Sequence, residues 1–131
     1  MKEYIVRVYN NKTEWRNKDG KFHREEGPAV EMANGDKFWW VNGQRHRVDG
    51  PACEYANGDK SWWVNGKLHR ENGPAVEYVG GEKEWWLNGK RHRIDGPAVE
   101  WGCYKAWYLN GKRFSRICYF IKIWSLKIIK K

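Results

Sequence analysis

Four histidines, His23, His46, His69 and His92, stand 23 residues apart, and each is followed by arginine. Imidazoles at a fixed interval could form a metal ladder or a series of acid–base groups. A metal ladder fails on reach. Equivalent positions on successive hairpins lie roughly 10 Å apart, whereas imidazole binds zinc at about 2.0–2.1 Å, so ligands must converge. No Cys, Asp or Glu falls beside them on the expected face. The histidines are therefore predicted to be structural, hydrogen-bonded to backbone and stacked on tryptophan, with no metal and no other cofactor. Glu31, Glu54, Glu77 and Glu100 repeat at the same interval. Paired-carboxylate catalysis needs two acids converging in one pocket with separated pKa values. These acids are instead spread along the chain, with Arg47, Arg70 and Arg93 available as ion-pair partners. The Gly-Pro-Ala triplets beginning at Gly27, Gly50, Gly73 and Gly96 lack the context of a phosphate loop and read as turn chemistry. No Ser-His-Asp or Cys-His arrangement has independent support. The chain is not expected to be an enzyme, and no catalytic residue is assigned.

The elements that must carry these residues follow from the same period. Besides the His-Arg pairs and Gly-Pro-Ala triplets, Trp pairs start at Trp39, Trp62 and Trp85, with Trp107-Tyr108 as a slipped copy. A fixed period in this range means an array of units packed on their neighbours. Asn65-Gly66 fits a two-residue type I′ hairpin turn, pairing Val64 with Lys67, Trp63 with Leu68 and Trp62 with His69. Treating Asn57-Gly58 the same way pairs Tyr55 with Lys60 and Cys53 with Trp62. Strand alternation then places Cys53, Tyr55, Trp62, Val64 and His69 on a buried face, and Ala52, Glu54, Trp63, Leu68 and Arg70 on the other. Trp39, Trp62, Trp85 and Trp107 become an inner row packing on Val30, Cys53, Val76 and Val99. Trp40, Trp63, Trp86 and Tyr108 become an outer row.

The spacing W-x-N-G-K-x-H-x-x-G, closest in "WVNGKLHRENG" at 63–73 with related stretches at 40–50 and 86–96, resembles the MORN repeat, also 23 residues long. Arg follows His where that family usually has Gly, and Gly-Pro-Ala comes next. This places the chain nearest to the MORN-repeat variants of bacterial, phage and large-virus proteins. The resemblance covers roughly residues 15–111. It implies an all-β fold, an elongated single antiparallel sheet of stacked hairpins, and non-enzymatic roles such as protein scaffolding and an attraction to phospholipids. The expected organisation is an N-terminal capping strand (1–14), MORN-like hairpin repeats (15–111) and a basic, hydrophobic C-terminal cap or tail (112–131), the cap possible as a helix.

Charge narrows the partners. The 131 residues carry a net +9, but seven basic residues and no acid lie in 112–131, leaving +2 for residues 1–111. A nearly neutral body offers little counterion-release affinity, so sequence-specific nucleic-acid binding ranks lowest. The three cysteines, Cys53, Cys103 and Cys118, are odd in number and lack zinc or CxxC spacing. "MKEYIVRVYN" lacks the apolar run of a secretory signal. Both point to a cytoplasmic location, a host cell's cytoplasm should the source be viral.

The candidate binding surface is the outer row: Trp40, Trp63 and Trp86 with Arg45, Arg47, Arg70, Arg91 and Arg93. Exposed Trp beside Arg is enriched in binding hot spots, which favours a protein partner. The same residues could sequester a small anionic ligand such as a signalling nucleotide, stacking its base while Arg engages phosphate. Alternatively, Arg stems cover the Trp rings and brace a thin sheet. The tail "RICYFIKIWSLKIIKK" is too short and too interrupted to span a bilayer. It reads as a cap on the open end of the array, or as an anchor on anionic membranes through Lys122, Trp124, Lys127 and Lys130. An open-edged sheet also admits a homodimer.

Overall fold

The computed structural model describes residues 3–129. It contains an open antiparallel sheet of eleven strands laid down in chain order, with a short hairpin outside the sheet at three of the steps. Ile5–Val8 forms one edge and pairs with Lys12–Arg16. Each repeat then contributes one pair: Val30–Met32 with Lys37–Phe38, Cys53–Glu54 with Lys60–Ser61, Val76–Glu77 with Lys83–Glu84, and Val99–Trp101 with Tyr104–Leu109. A second, shorter hairpin follows in each unit, for example Trp63–Val64 with Lys67–Leu68. The fourth of these continues the main sheet through Lys112–Phe114. A single helix, Arg116–Ile129, closes the described chain.

The two hairpins of a repeat turn differently, although in the first two repeats both contain Asn-Gly. At Asn42, Asn65, Asn88 and Asn110 φ is 48–49°, and the following glycines have φ of 77–80°. Two successive left-handed residues define the type I′ turn, as expected. At the other turn only the glycine is left-handed, with φ of 101° at Gly35 and Gly58 and 99° at Gly81. The Gly58 amide donates to the Tyr55 carbonyl, and the Tyr55 amide to the Asp59 carbonyl. This is a three-residue loop with a glycine bulge. Cys53 therefore faces Ser61, not Trp62 as expected.

The third unit makes the same loop with Gly80-Gly81-Glu82; in the second unit the loop is braced by Asp59. Its amide donates to Asn57 Oδ1 at 2.9 Å, and its own Oδ1 accepts the Val79 amide of the next repeat at 2.8 Å. Asp36 makes the same two bonds, accepting the Ala56 amide. The extra loop residue slips the register by one, and a slip of one exchanges the faces of a strand.

The expected inner and outer rows are corrected accordingly. Trp63, not Trp62, shares a face with Cys53 and Ser61, and its Nε1 donates to Ser61 Oγ at 2.8 Å. The expected packing of Trp39, Trp62, Trp85 and Trp107 on Val30, Cys53, Val76 and Val99 is overturned for the same reason. The buried face is one residue deep: Glu14, Val30, Phe38, Cys53, Ser61, Val76, Glu84, Val99 and Ala106 lie side by side across nine strands. The residues one step along run Glu31, Lys37, Glu54, Lys60, Glu77, Lys83, Glu100, Lys105, with alternating charge on the opposite face. Opposed unlike charges contribute about 0.2–1 kcal/mol per cross-strand pair, so this face is cohesive without an apolar core.

Ala29, Ala52, Ala75 and Ala98 are wholly buried, against the expectation of an outward Ala52. Their carbonyls accept the amides of Trp15, Trp39, Trp62 and Trp85 at 2.8 Å, which knits each repeat to its predecessor. At the far end, Tyr119 and Ile123 of the helix pack on Leu109, Trp107 and Phe114. The Tyr119 hydroxyl donates to the Arg93 carbonyl at 2.8 Å and accepts from the Gly96 amide at 3.2 Å. The helix is thus a cap locked to the last repeat.

Candidate binding surface

The motif Arg-x-x-Gly-Pro-Ala-x-Glu folds into one local device, four times over. Arg47 lies over the Trp39 ring at 3.9 Å, Arg70 over Trp62 at 3.8 Å and Arg93 over Trp85 at 3.7 Å. Arg24 and Trp15 repeat the contact at 3.9 Å. The guanidinium crosses its own loop so closely that a Cβ on Gly50 would sit 3.0 Å from Arg47 Cζ. A side chain there would push the guanidinium off this path. Arg47 Nη1 donates to the Pro51 carbonyl and to Glu54 Oε1, both at 3.0 Å. Arg70 reaches Pro74 and Glu77, and Arg93 reaches Pro97 and Glu100, in the same way. Cation–π contact, backbone bond and ion pair together hold each arginine in one conformation.

The histidines tie one unit to the next. The Nδ1 atoms of His23, His46, His69 and His92 accept the backbone amides of Asn42, Asn65, Asn88 and Asn110 at 3.0–3.1 Å. Each bond holds the type I′ turn of the following repeat and requires an unprotonated Nδ1. Burial pushes the His92 pKa down. The backbone bonding agrees with the sequence reading. Among the described residues no cluster of three His, Cys, Asp or Glu could hold a metal.

Between consecutive clasps the surface opens into three equivalent clefts of about 530, 540 and 610 Å³. In the middle one, the floor is Trp62 and Val64, His69 stands beside them, and Arg47, Pro51 and Arg70 form the walls. The first cleft has Trp39, Val41 and His46 in the corresponding places, and the third Trp85, Leu87 and His92. Val48 and Ile94 project at the rims, 83% and 62% exposed.

The eight residues expected to form one outer binding face are divided between two faces. Arg47, Arg70 and Arg93 belong to the cleft side with Trp39, Trp62 and Trp85. Trp40, Trp63 and Trp86 lie half-buried on the other side. There Arg45 sits between Trp40 and Trp63, with Cζ 5.2 and 5.3 Å from the two rings, and Arg91 between Trp86 and Tyr108 at 5.0 and 5.5 Å. Trp86 Nε1 also donates to buried Glu84 at 2.8 Å. This interdigitated stack braces the sheet, which is the covering role weighed above for Arg stems. The sequence reading missed the cleft because it depends on the arginine folding back across its loop. The available signal was the invariant offset of Gly three and Glu seven residues after each Arg.

On the helix, Lys122, Trp124 and Lys127 are exposed, while Lys130 lies outside the described residues. Among the described residues no helix is long and apolar enough to cross a membrane. Fold and surface together define an open-sheet β-hairpin repeat protein with one cleft per seam. Comparisons with known protein families, with curated proteins and with solved structures return no match to this chain.

Proposed function

We propose that this chain is a non-catalytic, MORN-like interaction scaffold that seats a protein partner along its three clefts. The observation that carries the reading is the recurrence of one lining, Trp beside His and an aliphatic residue, at three successive seams. Exposed Val48 and Ile94 add apolar contact at the rims, and Trp with Arg at a preorganised site suits a binding hot spot. The surface offered is the Trp62 side, with the Trp63 side serving as the brace. The guanidinium groups already face Glu54, Glu77 and Glu100. A small anion would therefore meet little uncompensated charge, which favours a protein over a nucleotide.

A photoreactive residue at Val48 or Ile94 tests this. Both positions should crosslink the same protein in an extract of the source organism, competed by excess unmodified chain. The same probe at Val8, on the exposed edge strand, should not. Equal adducts from Val8 would sink the proposal. So would a nucleotide panel that raises the melting temperature of the wild type by several degrees but not that of Arg70→Ala, since a ligand at about 100 times its Kd adds about 2.7 kcal/mol.

A further inference from the structure

The capping helix carries two apolar faces and uses one. Tyr119 and Ile123 are 1% and 8% exposed against the last repeat. At about 100° per residue, Ile117, Phe120, Ile121, Trp124 and Ile128 share an arc of roughly 100° turned away from it. These five are between 51% and 74% exposed. Their burial is not needed to hold the cap, whose contacts lie with Tyr119 and Ile123. Five large apolar side chains on one exposed stripe are more than isolated surface residues require.

The charge around the stripe selects its occupant. Arg116, Lys122 and Lys127 are exposed on the same helix. Lys130 and Lys131 follow in the sequence, and no acid occurs after Glu100. A second copy would set these cations against their own kind. The helix has 14 residues, short of a bilayer span, and packs on the last strands through Tyr119 and Ile123. We propose that this helix docks the protein on an anionic lipid surface, with Phe120 and Trp124 entering the headgroup boundary and the lysines meeting lipid phosphate or carboxylate. Helices that lie in the interface combine an aromatic-rich apolar face with flanking Lys and Arg in this way. This goes beyond the protein partner proposed above, and the two surfaces are separate.

The test is flotation of the full chain with vesicles of phosphatidylcholine alone or with about 30% phosphatidylserine. Binding is expected only to the anionic vesicles and is expected to weaken strongly in about 0.5 M salt. Each basic residue near such a surface is worth roughly fivefold. Lys122→Gln with Lys127→Gln should therefore lower affinity by about 25-fold. Ile121→Ser with Trp124→Ser should abolish flotation. All four side chains are exposed, so circular dichroism melts of both variants should match the wild type and separate lost docking from lost folding. Equal flotation with uncharged vesicles, or none with anionic ones at low salt, overturns the proposal. So does a dimer in sedimentation velocity that disappears with Ile121→Ser and Trp124→Ser, because the stripe would then be a self-interface.

Discussion

Replacing Tyr119 by Phe removes one oxygen and leaves the ring against Leu109, Trp107 and Phe114. That oxygen accepts from the Gly96 amide and receives the Arg93 carbonyl as its own acceptor, inside a seam where Gly96 is buried. Without it, one backbone donor and one acceptor lose their partner in a site shaped for a hydroxyl. An unsatisfied buried polar group costs about 1–3 kcal/mol. The partly exposed Arg93 carbonyl regains water more readily than the Gly96 amide, so a total of about 2 kcal/mol is the reasoned value. For a chain of this length each kcal/mol moves the melting temperature by roughly 4 °C, so a fall of about 8 °C is expected by circular dichroism. Amide exchange at Gly96 should accelerate in the same variant. Tyr104→Phe, on an exposed side chain, is the control and should melt as the wild type does. A Tyr119→Phe protein that melts within about 1 °C of wild type, with Gly96 equally protected, would refute the idea that this hydroxyl locks the cap.

Acidification from neutral pH should destabilise the fold in two stages. The His92 pKa is depressed by burial, so below the unfolded value near 6.5 the unfolded chain takes a proton that the folded chain refuses. That stability is complete above this pH and drains as pH falls through the depressed value. At Glu14, burial alone would raise the pKa, but hydrogen bonds from Lys12 and Arg16 outweigh it and the net shift is downward. Its contribution is present above the unfolded carboxylate value and is lost at still lower pH. Melting temperature followed from pH 7 to pH 3 should fall throughout, and His92→Gln should flatten the upper part of the curve. Ala75→Leu should cost about 1–3 kcal/mol by overpacking a fully enclosed methyl, read as a lower urea midpoint with an unchanged slope. Asp59→Ala removes the carboxylate that holds the Val79 amide and should lower stability by about 1 kcal/mol, whereas Lys60→Ala, in the exposed charge row, should cost less than half of that.

The period, the antiparallel hairpins and the type I′ turns at Asn42, Asn65, Asn88 and Asn110 were legible because each depends on local chemistry repeated at a fixed offset. The register of the other hairpin was not. Asn57-Gly58 and Asn65-Gly66 are the same dipeptide, yet one sits in a three-residue bulged loop and the other in a two-residue turn. Asp59 acts on a neighbour 20 residues away, a contact invisible to a reading confined to one hairpin. From that single slip the assignment of Trp62 and Trp63 inverted. The arginine clasps were half legible: the Glu and Arg rows were recognised as partners, but not the guanidinium's path over glycine onto the preceding unit's tryptophan. The helix was readable as a cap; its second, unused apolar face became evident only once Tyr119 fixed its rotation.

The seams also have a genetic consequence. Every unit presents a histidine acceptor to the next, always at the amide of the type I′ turn asparagine, and Asp36 and Asp59 add an aspartate acceptor at the first two seams. Excision of residues 47–69 would bring His46 directly before Arg70 and rejoin surfaces already complementary, in a sheet shorter by two strands, or roughly 10 Å. Duplication of the same stretch would lengthen it by that amount. Removal or insertion of whole units preserves the fit. The array is therefore a coding unit that recombination can copy or delete in discrete steps, with reach along the sheet inherited as an integer while the edge strand and the capping helix stay untouched.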